Sequence, residues 1–145
     1  MTTIRVALAE DHVLLREGIS RLVSADDDFE LVGVASDLPG LLAIVAEHEP
    51  DVVVTDIRMP PSGTNEGIQA AAWLREHRPK VGVVVLSQYI APGYAVALLE
   101  HGSAGRAYLL KEQVASVDEL ARAIRTVAAG GSVIDPRVVD ELVRE

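Results

Sequence analysis

Apolar and polar positions follow two different periods along this chain. Short runs of apolar residues alternate with longer segments in which apolar residues recur every three or four positions. Runs of about four to eight apolar residues are typical of buried strands, and the longer spacing is typical of helices. Five strands are predicted in this way, over residues 4–9, 29–35, 52–55, 81–86 and 106–110. Because a helix is predicted after each strand, the fold class is α/β: one doubly wound five-stranded parallel sheet with helices on both faces.

Turn and capping residues place the boundaries of several helices. Asp11 is expected to cap the first helix, and the acidic run at residues 26–28 is expected to end it. The most regular helical pattern lies within residues 117–128 and is closed by Gly130-Gly131. A short amphipathic segment at residues 136–144 follows. The chain contains no internal repeat and no low-complexity linker, so the pattern predicts a single folded unit.

Four of the predicted strands lead into side chains that can bind ions or phosphate. Glu10 and Asp11 follow the first strand, Asp56 follows the third, Ser87 the fourth and Lys111 the fifth. The carboxyl ends of parallel strands meet at one edge of a sheet, which is where open α/β sheets bind their ligands. We therefore expect these side chains to form one site.

The residue types suit a divalent cation and a phosphoryl group. Neighbouring carboxylates repel one another and raise one another's pKa, and a bound cation relieves that repulsion. Mg²⁺ prefers a few carboxylates together with waters and a phosphate oxygen. A carboxylate can also accept a phosphoryl group, which predicts Asp56 as the nucleophile. Lys111 would then stabilise negative charge, and Ser87 would donate a hydrogen bond to a phosphate oxygen.

Structural roles are the alternative for the same residues. Asp11 caps a helix in this interpretation, Glu10 is solvated, and Lys111 is an ion-pair partner for Asp56. Tyr108, near the end of the fifth strand, is then a half-buried strand residue with its hydroxyl in water. Asp56 lies at the end of a second strand. Its presence there favours a metal site over separate structural roles for Glu10 and Asp11.

Composition excludes several function classes. A chain of 145 residues with 49% apolar residues fits one domain with a substantial core. A formal net charge of -9 and only 3% aromatic residues argue against direct nucleic-acid binding, which needs basic side chains or stacking platforms. The sequence has no membrane-length apolar stretch, no signal-peptide pattern and no cysteine. We expect a cytoplasmic protein that binds neither nucleic acid nor membrane.

Four segments of the chain resemble the receiver domain of two-component response regulators. They are VALAEDH (6–12), VTDIRMP (54–60), VVLS (84–87) and YLLK (108–111). Their order and separations also fit, and the resemblance covers essentially the whole chain. It implies the flavodoxin-like strand order 2-1-3-4-5 and a phosphoacceptor signalling domain rather than an enzyme. Such a domain promotes its own aspartyl phosphorylation and dephosphorylation.

The resemblance also implies a metal site and a phosphoryl donor. Asp56 becomes the phosphoacceptor, and a sensor histidine kinase becomes the partner that phosphorylates it. The implied Mg²⁺ ligands are Asp11, Asp56 and the main-chain carbonyl of Arg58, with Glu10 binding through water.

The remaining site residues receive roles in catalysis and switching. Ser87 and Lys111 would contact the phosphoryl group, and Tyr108 would turn inward when Ser87 moves. Arg58 and Tyr89 lie at positions whose side chains often modulate hydrolysis of the phosphoaspartate. Homodimerisation on phosphorylation is a further expectation from the family.

The carboxyl-terminal third resembles the segment that precedes the helix-turn-helix domain in NarL/LuxR-type regulators. The resemblance is carried by residues 123–125, 128–131 and 134–136. We expect a receiver domain over residues 1–131 and a connector helix over residues 132–145, with a DNA-binding output domain absent from this chain. A truncated regulator is favoured over a stand-alone receiver.

Two other function classes stay open. A haloacid-dehalogenase-type phosphatase also forms an aspartyl-phosphate, but it needs a second acid two residues after the nucleophile, where this chain has Arg58. An atypical receiver would act as a protein-interaction module without phosphorylation. Loops 61–65 and 102–107, both longer than is usual in the family, are compatible with that alternative.

Overall fold

Strands and helices alternate along the computed structural model of the chain, which describes residues 3–88, 92–100, 102–112 and 117–143. The strands are β1 (Ile4–Ala9), β2 (Phe29–Ala35), β3 (Val52–Asp56), β4 (Gly82–Ser87), β5 (Arg106–Leu110) and β6 (Val133–Ile134). The helices are α1 (Val13–Ala25), α2 (Leu38–His48), α3 (Glu66–His77), α4 (Pro92–Leu99), α5 (Val117–Ala128) and α6 (Pro136–Val143). Within these ranges, no helix meets the length and apolarity that a membrane crossing requires. The predicted α/β alternation is confirmed.

Six strands in the described ranges form one parallel sheet in the order β2-β1-β3-β4-β5-β6. The implied order 2-1-3-4-5 is present within it, but the prediction of a five-stranded sheet was wrong. β6 pairs with β5, Ala107 opposite Val133 and Tyr108 opposite Ile134. A two-residue strand carries no periodicity that a sequence pattern can detect. It forms because it supplies hydrogen-bond partners to the otherwise open edge of β5.

The sheet separates two hydrophobic cores. α1 and α5 cover one face, where Ile19 and Ile124 are buried. α2, α3, α4 and α6 cover the other face, where Leu74 and Val138 are buried. Every residue of β3 and β4 is buried, as their continuous apolar runs predict for central strands covered on both faces. The strands therefore hold their carboxyl ends in fixed positions at one edge.

The start of α1 differs from the prediction. His12, not Asp11, is the N-cap, and its Nδ1 accepts a hydrogen bond from the Leu15 N–H at 3.3 Å. Histidine is an uncommon cap, whereas aspartate is a preferred one, so sequence preference favoured the neighbouring residue. The end of α1 is as predicted, because Asp26 is its C-cap. The Asp11 carboxylate is left available for the edge of the sheet.

Gly67, in the first turn of α3, brings that helix against the end of β3. Its N–H donates to the carbonyl of Ile57 at 2.9 Å. A Cβ at position 67 would lie 2.2 Å from the carbonyl oxygen of Asp56 and 2.8 Å from the Cα of Ile57. Both neighbours are backbone atoms, which cannot move aside as a flexible side chain can. The absence of a side chain at Gly67 therefore helps to set the position of Asp56.

Replacing Gly67 with alanine should lower the free energy of unfolding by about 3 kcal/mol, because overpacking would displace α3 or the end of β3. Denaturant unfolding measures the change. Gly18→Ala is the matched control, since an added Cβ in α1 meets nothing within 4 Å. That variant should gain about 0.5 to 1 kcal/mol from helix propensity. Equal effects of the two variants would contradict the proposed close approach.

Candidate functional site

The side chains at the strand ends converge on one cavity of about 370 Å³ at the carboxyl edge of the sheet. Asp11, Asp56, Ser87 and Lys111 line this cavity. Glu10 is fully buried and joins the same group of side chains through its contact with Lys111. Parallel pairing brings these strand ends together although the residues are far apart in sequence.

Lys111 lies between two buried carboxylates. Its Nζ is 3.2 Å from Oδ1 of Asp56 and 3.2 Å from Oε1 of Glu10. The Lys111 side chain is 20% exposed, whereas those of Glu10 and Asp56 are 0% and 6% exposed. Water screens these charges less than it screens a surface pair, so both attraction and repulsion are stronger here. One ammonium shared by two carboxylates leaves the site with excess negative charge.

The excess negative charge shifts the titration of Asp56. Burial, and after it the neighbouring Glu10 carboxylate, raises the pKa of Asp56 from 3.8 to about 7, although Lys111 acts in the opposite direction. Hydrogen bonds to Asp11 and Glu10 raise it further. The carboxyl group of Asp56 therefore holds a proton more tightly than an isolated aspartate does, and an added cation would favour its ionised form.

The acidic residues fit a hard divalent cation. Glu10, Asp11 and Asp56 each present an oxygen within 4.8 Å of the others. Oε1 of Glu10 is buried and accepts no hydrogen bond from the described residues, although Lys111 Nζ lies close to it. Carboxylate oxygens are the ligands that Mg²⁺ prefers, and Asp11 is exposed, which leaves access for water ligands. These residues therefore form an acidic pocket suited to Mg²⁺.

Hydrogen bonds hold Glu10 against the pocket. Its main-chain N–H donates to the carbonyl of Ala35 at 3.0 Å, which continues the pairing between β1 and β2. Its Oε2 accepts a hydrogen bond from the His12 N–H at 3.1 Å. Nη1 of Arg16 donates to its carbonyl at 3.0 Å. The buried carboxylate is thus oriented by the start of α1 as well as by Lys111.

Arg58 and Tyr94 form the outer wall of the cavity. The Arg58 guanidinium lies 5.8 Å from the centre of the Tyr94 ring, and its Nε donates to the Tyr94 hydroxyl at 3.3 Å. That hydroxyl donates in turn to the carbonyl of Thr64 at 2.8 Å. Sequence reasoning missed Tyr94, because it lies 36 residues from Arg58 and no motif signals their contact. These contacts join α4 to the loop before α3.

Loop 61–65 is ordered by Glu66, the first residue of α3. Its carboxylate accepts hydrogen bonds from the main-chain N–H of Ser62 at 2.6 Å and of Thr64 at 3.2 Å. The Ser62 hydroxyl also donates to it, and this bond is the main reason that the pKa of Glu66 is lowered to about 2. The long loop beside the site is therefore joined to the start of α3 by a carboxylate whose lowered pKa keeps it ionised.

Tyr108 is fully buried in the core that α4 and α6 cover. Its interpretation as a half-buried residue with a solvated hydroxyl was therefore wrong. Tyr108 pairs with Val85 in the sheet. Since alternate residues of a strand share a face, Ser87 lies on the same face as Val85 and Tyr108. The cavity and this core are thus adjacent along one face of β4.

Some expectations from the sequence are not decided by this geometry. Tyr89 lies outside the described residues. The Arg58 side chain reaches the cavity, but the assignment of its main-chain carbonyl as a metal ligand stays a prediction. The phosphoacceptor, switch and metal-ligand roles, and the division at residue 131, stay predictions as well.

Comparison with known proteins places this site in a family. Residues 6–125 match the response regulator receiver domain. The chain is 36% identical over 142 residues to the transcriptional regulatory protein DegU of Brevibacillus brevis, covering 98% of this chain and 57% of DegU. It is 33% identical over 141 residues to the oxygen regulatory protein NreC of Staphylococcus carnosus (strain TM300), covering 97% of this chain and 62% of NreC.

A solved structure agrees with these relatives. The signal receiver domain of NarL from Mycobacterium tuberculosis aligns with a TM-score of 0.78 and 32% identity, covering 90% of this chain and 99% of that chain. The chain spans about three fifths of the length of the curated relatives named above. Since the family match includes both the acidic pocket and Lys111, this chain belongs to the response regulator receiver domain family, and its relatives are regulators of the NarL/LuxR type.

Proposed function

We propose that Asp56 accepts a phosphoryl group from the phosphohistidine of a sensor histidine kinase. A carboxylate oxygen of Asp56 forms the new P–O bond while the P–N bond to the kinase breaks, and the electron pair leaves with the imidazole. The observation that carries this proposal is the position of Asp56, with Lys111 3.2 Å away and two further carboxylates beside it.

The neighbouring residues would position and neutralise the transferred group. Asp11 and Asp56, the main-chain carbonyl of Arg58, and Glu10 through water would hold Mg²⁺. When bound, Mg²⁺ supplies positive charge to the oxygens of the phosphoryl group. Lys111, whose Nζ lies 3.2 Å from Oδ1 of Asp56, would supply a second positive charge, and Ser87 would donate a hydrogen bond. Hydrolysis by water would later restore Asp56, and Arg58, which lines the cavity with Tyr94, would limit the access of that water.

The proposed signal leaves the site through Ser87 and Tyr108. A shift of Ser87 toward the phosphoryl group would change the space available to the Tyr108 ring on the same face of the sheet. The carbonyl of Tyr108 accepts a hydrogen bond from the Asp135 N–H at 3.0 Å, and Val138 of α6 is buried in the same core. Movement of the tyrosine would therefore reach β6 and α6 directly.

A second connection runs through charged side chains. Glu112, which follows Lys111, forms an ion pair with Arg137 of α6. Nε of Arg137 is also 3.2 Å from Oδ1 of Asp135, a buried carboxylate. A change in the position of Lys111 would therefore be transmitted to the first turn of α6.

The output of this switch is proposed from the relatives. DegU is a transcriptional regulatory protein and is longer than this chain. We propose that residues 132–145 connect the receiver, residues 1–131, to a DNA-binding domain, so that this chain itself contacts no DNA. Phosphorylation would favour a homodimer in the cytoplasm, and the domain would promote both its own phosphorylation and its dephosphorylation.

A small phosphodonor such as acetyl phosphate, together with Mg²⁺, should add one phosphoryl group to the wild-type chain, since the site itself activates Asp56. Intact-mass measurement detects the product. Asp56→Asn should add none, because the amide is not a nucleophile. Asp27→Asn removes an exposed carboxylate and is the matched control, which should be phosphorylated like the wild type.

Two results would change the assignment. An unmodified wild type would favour the phosphorylation-independent interaction module. Multiple turnover of a phosphomonoester would favour the phosphatase.

Mg²⁺ should stabilise the protein more at pH about 8 than at pH about 5, because protons compete for Asp56, whose pKa is raised to about 7. In the metal-free protein, the folded state binds this proton more tightly than the unfolded state. That contribution to stability is complete below the ordinary pKa of 3.8 and is lost as the pH rises through about 7. Calorimetry should show a Mg²⁺-dependent rise in Tm of several degrees at the higher pH.

The Asp56→Asn variant provides the control for this metal effect. Without metal at pH about 8, it should be more stable than the wild type by about 1 to 2 kcal/mol, since one of three neighbouring charges is removed. Its Tm should respond little to Mg²⁺. An undiminished Mg²⁺ response in this variant would place the metal elsewhere.

Phosphorylation should change amide hydrogen exchange of residues 133–143 by about tenfold, the size expected of a population shift of roughly 1.4 kcal/mol. Ser87→Ala should still accept phosphate but should lose most of that change and any phosphorylation-dependent dimerisation. Ser24→Ala, at an exposed position of α1, is the control and should respond like the wild type. If Ser87→Ala keeps the full response, the proposed route through Ser87 and Tyr108 is wrong.

A further inference from the structure

A second cavity, of about 290 Å³, lies between α3 and α4. Arg106, the first residue of β5, lines it together with Arg75 of α3. Lys111 follows the opposite end of β5, and a strand rises about 3.3 Å per residue, so the two cavities are separated by roughly 15 Å along the strand. The second cavity is therefore distinct from the acidic pocket.

Arg106 is a buried cation whose hydrogen bonds, among the described residues, all go to main-chain carbonyls. It is 3% exposed, and its guanidinium donates to the carbonyl of Ala71 at 3.1 Å and, at longer distance, to those of Val81 and Gly105. Its Nε has no hydrogen-bond partner among the residues that the structure describes. Within the described ranges, no carboxylate lies within ion-pair distance of it. Burial of an unpaired charge is unfavourable, and a nearby anion would offset that cost.

Arg75 brings a second positive charge to the same cavity. Its Nη2 donates to the carbonyl of Gly102 at 2.9 Å, so its guanidinium is held at the end of α3. Burial, and after it the proximity of Arg75, lowers the pKa of Arg106 to about 10. Glu76 and Glu100 also line the cavity but are exposed, and neither forms an ion pair with the two arginines in the described part of the chain.

We propose that this cavity binds a small oxyanion, a carboxylate or phosphate group, between Arg75 and Arg106. A guanidinium presents several N–H donors in one plane, which matches the spacing of oxygens in both groups. Ala72, Ala97 and Leu98 provide an apolar wall for a small organic substituent. The bound anion would link α3 to α4, which carries Tyr94 at its other end.

The test uses the full chain labelled with ¹⁵N, titrated in parallel with inorganic phosphate and with succinate. The Arg106 Nε–Hε resonance should move saturably, together with amides of residues 71–76 and 97–100. Sodium chloride at equal ionic strength should not reproduce the change. Movement with phosphate alone would indicate a phosphorylated ligand, movement with succinate alone an organic acid, and movement with both a general oxyanion site. Each of these three results supports the proposal.

Variants separate anion binding from a purely structural role of Arg106. Arg75→Gln should weaken the binding of whichever probe binds by about tenfold, the effect expected for loss of a charge-assisted contact. Arg21→Gln, at an exposed position of α1, is the charge-matched control and should leave the affinity unchanged. Arg106→Lys keeps the charge but loses the planar fork, and it should also weaken binding.

Two results would overturn the proposal. One is the absence of a saturable shift with either probe, which would make Arg106 only a structural contact between β5 and the carbonyls around it. The other is equal affinity of the wild type and Arg75→Gln. Because none of these residues contacts Asp56, failure here would leave the proposed phosphorylation unaffected.

Discussion

The arrangement of this receiver depends on an unequal balance of charge at one edge of its sheet. Two carboxylates, those of Glu10 and Asp56, are buried beside a single ammonium, that of Lys111, and Asp11 adds a third negative charge nearby. Close packing and low exposure prevent these side chains from separating. The resulting repulsion is relieved by protonation of Asp56 or by a cation. A site with that property would respond strongly to a change in local charge, as the proposed phosphorylation requires.

The scaffold maintains this repulsion because the central strands beside the site are covered on both faces. β3 and β4 are buried along their whole length, and Gly67 lets α3 contact the backbone of β3 at the position of Asp56. At the other side of the site, the segment after β5 is joined to α6 by Glu112 and Arg137. These contacts are the route by which the proposed response would reach α6.

The sequence predicts the strand ends well, because residue period and residue type are local properties. Asp56 and Ser87 follow unmistakable apolar runs, and parallel strands must bring such residues to one edge. The features that were missed depend on distant contacts. β6 exists because β5 has an open edge, Tyr94 matters because α4 crosses Arg58, and the isolation of Arg106 is visible only once α3 is in place. The role of His12 as the N-cap of α1 was missed for a local reason. Residue preferences at N-caps favour aspartate over histidine, so Asp11 was predicted instead.

The pairing of β6 with β5 also bears on how this domain avoids self-association. An edge strand has unpaired main-chain N–H and carbonyl groups that can form hydrogen bonds with another molecule. Such pairing can lead to domain-swapped oligomers or amyloid fibres. Here Val133 and Ile134 pair with part of the outer edge of β5. Val138 is buried in the adjacent hydrophobic core. A chain ending after α5 would expose both the outer edge of β5 and the apolar surface that Val138 covers.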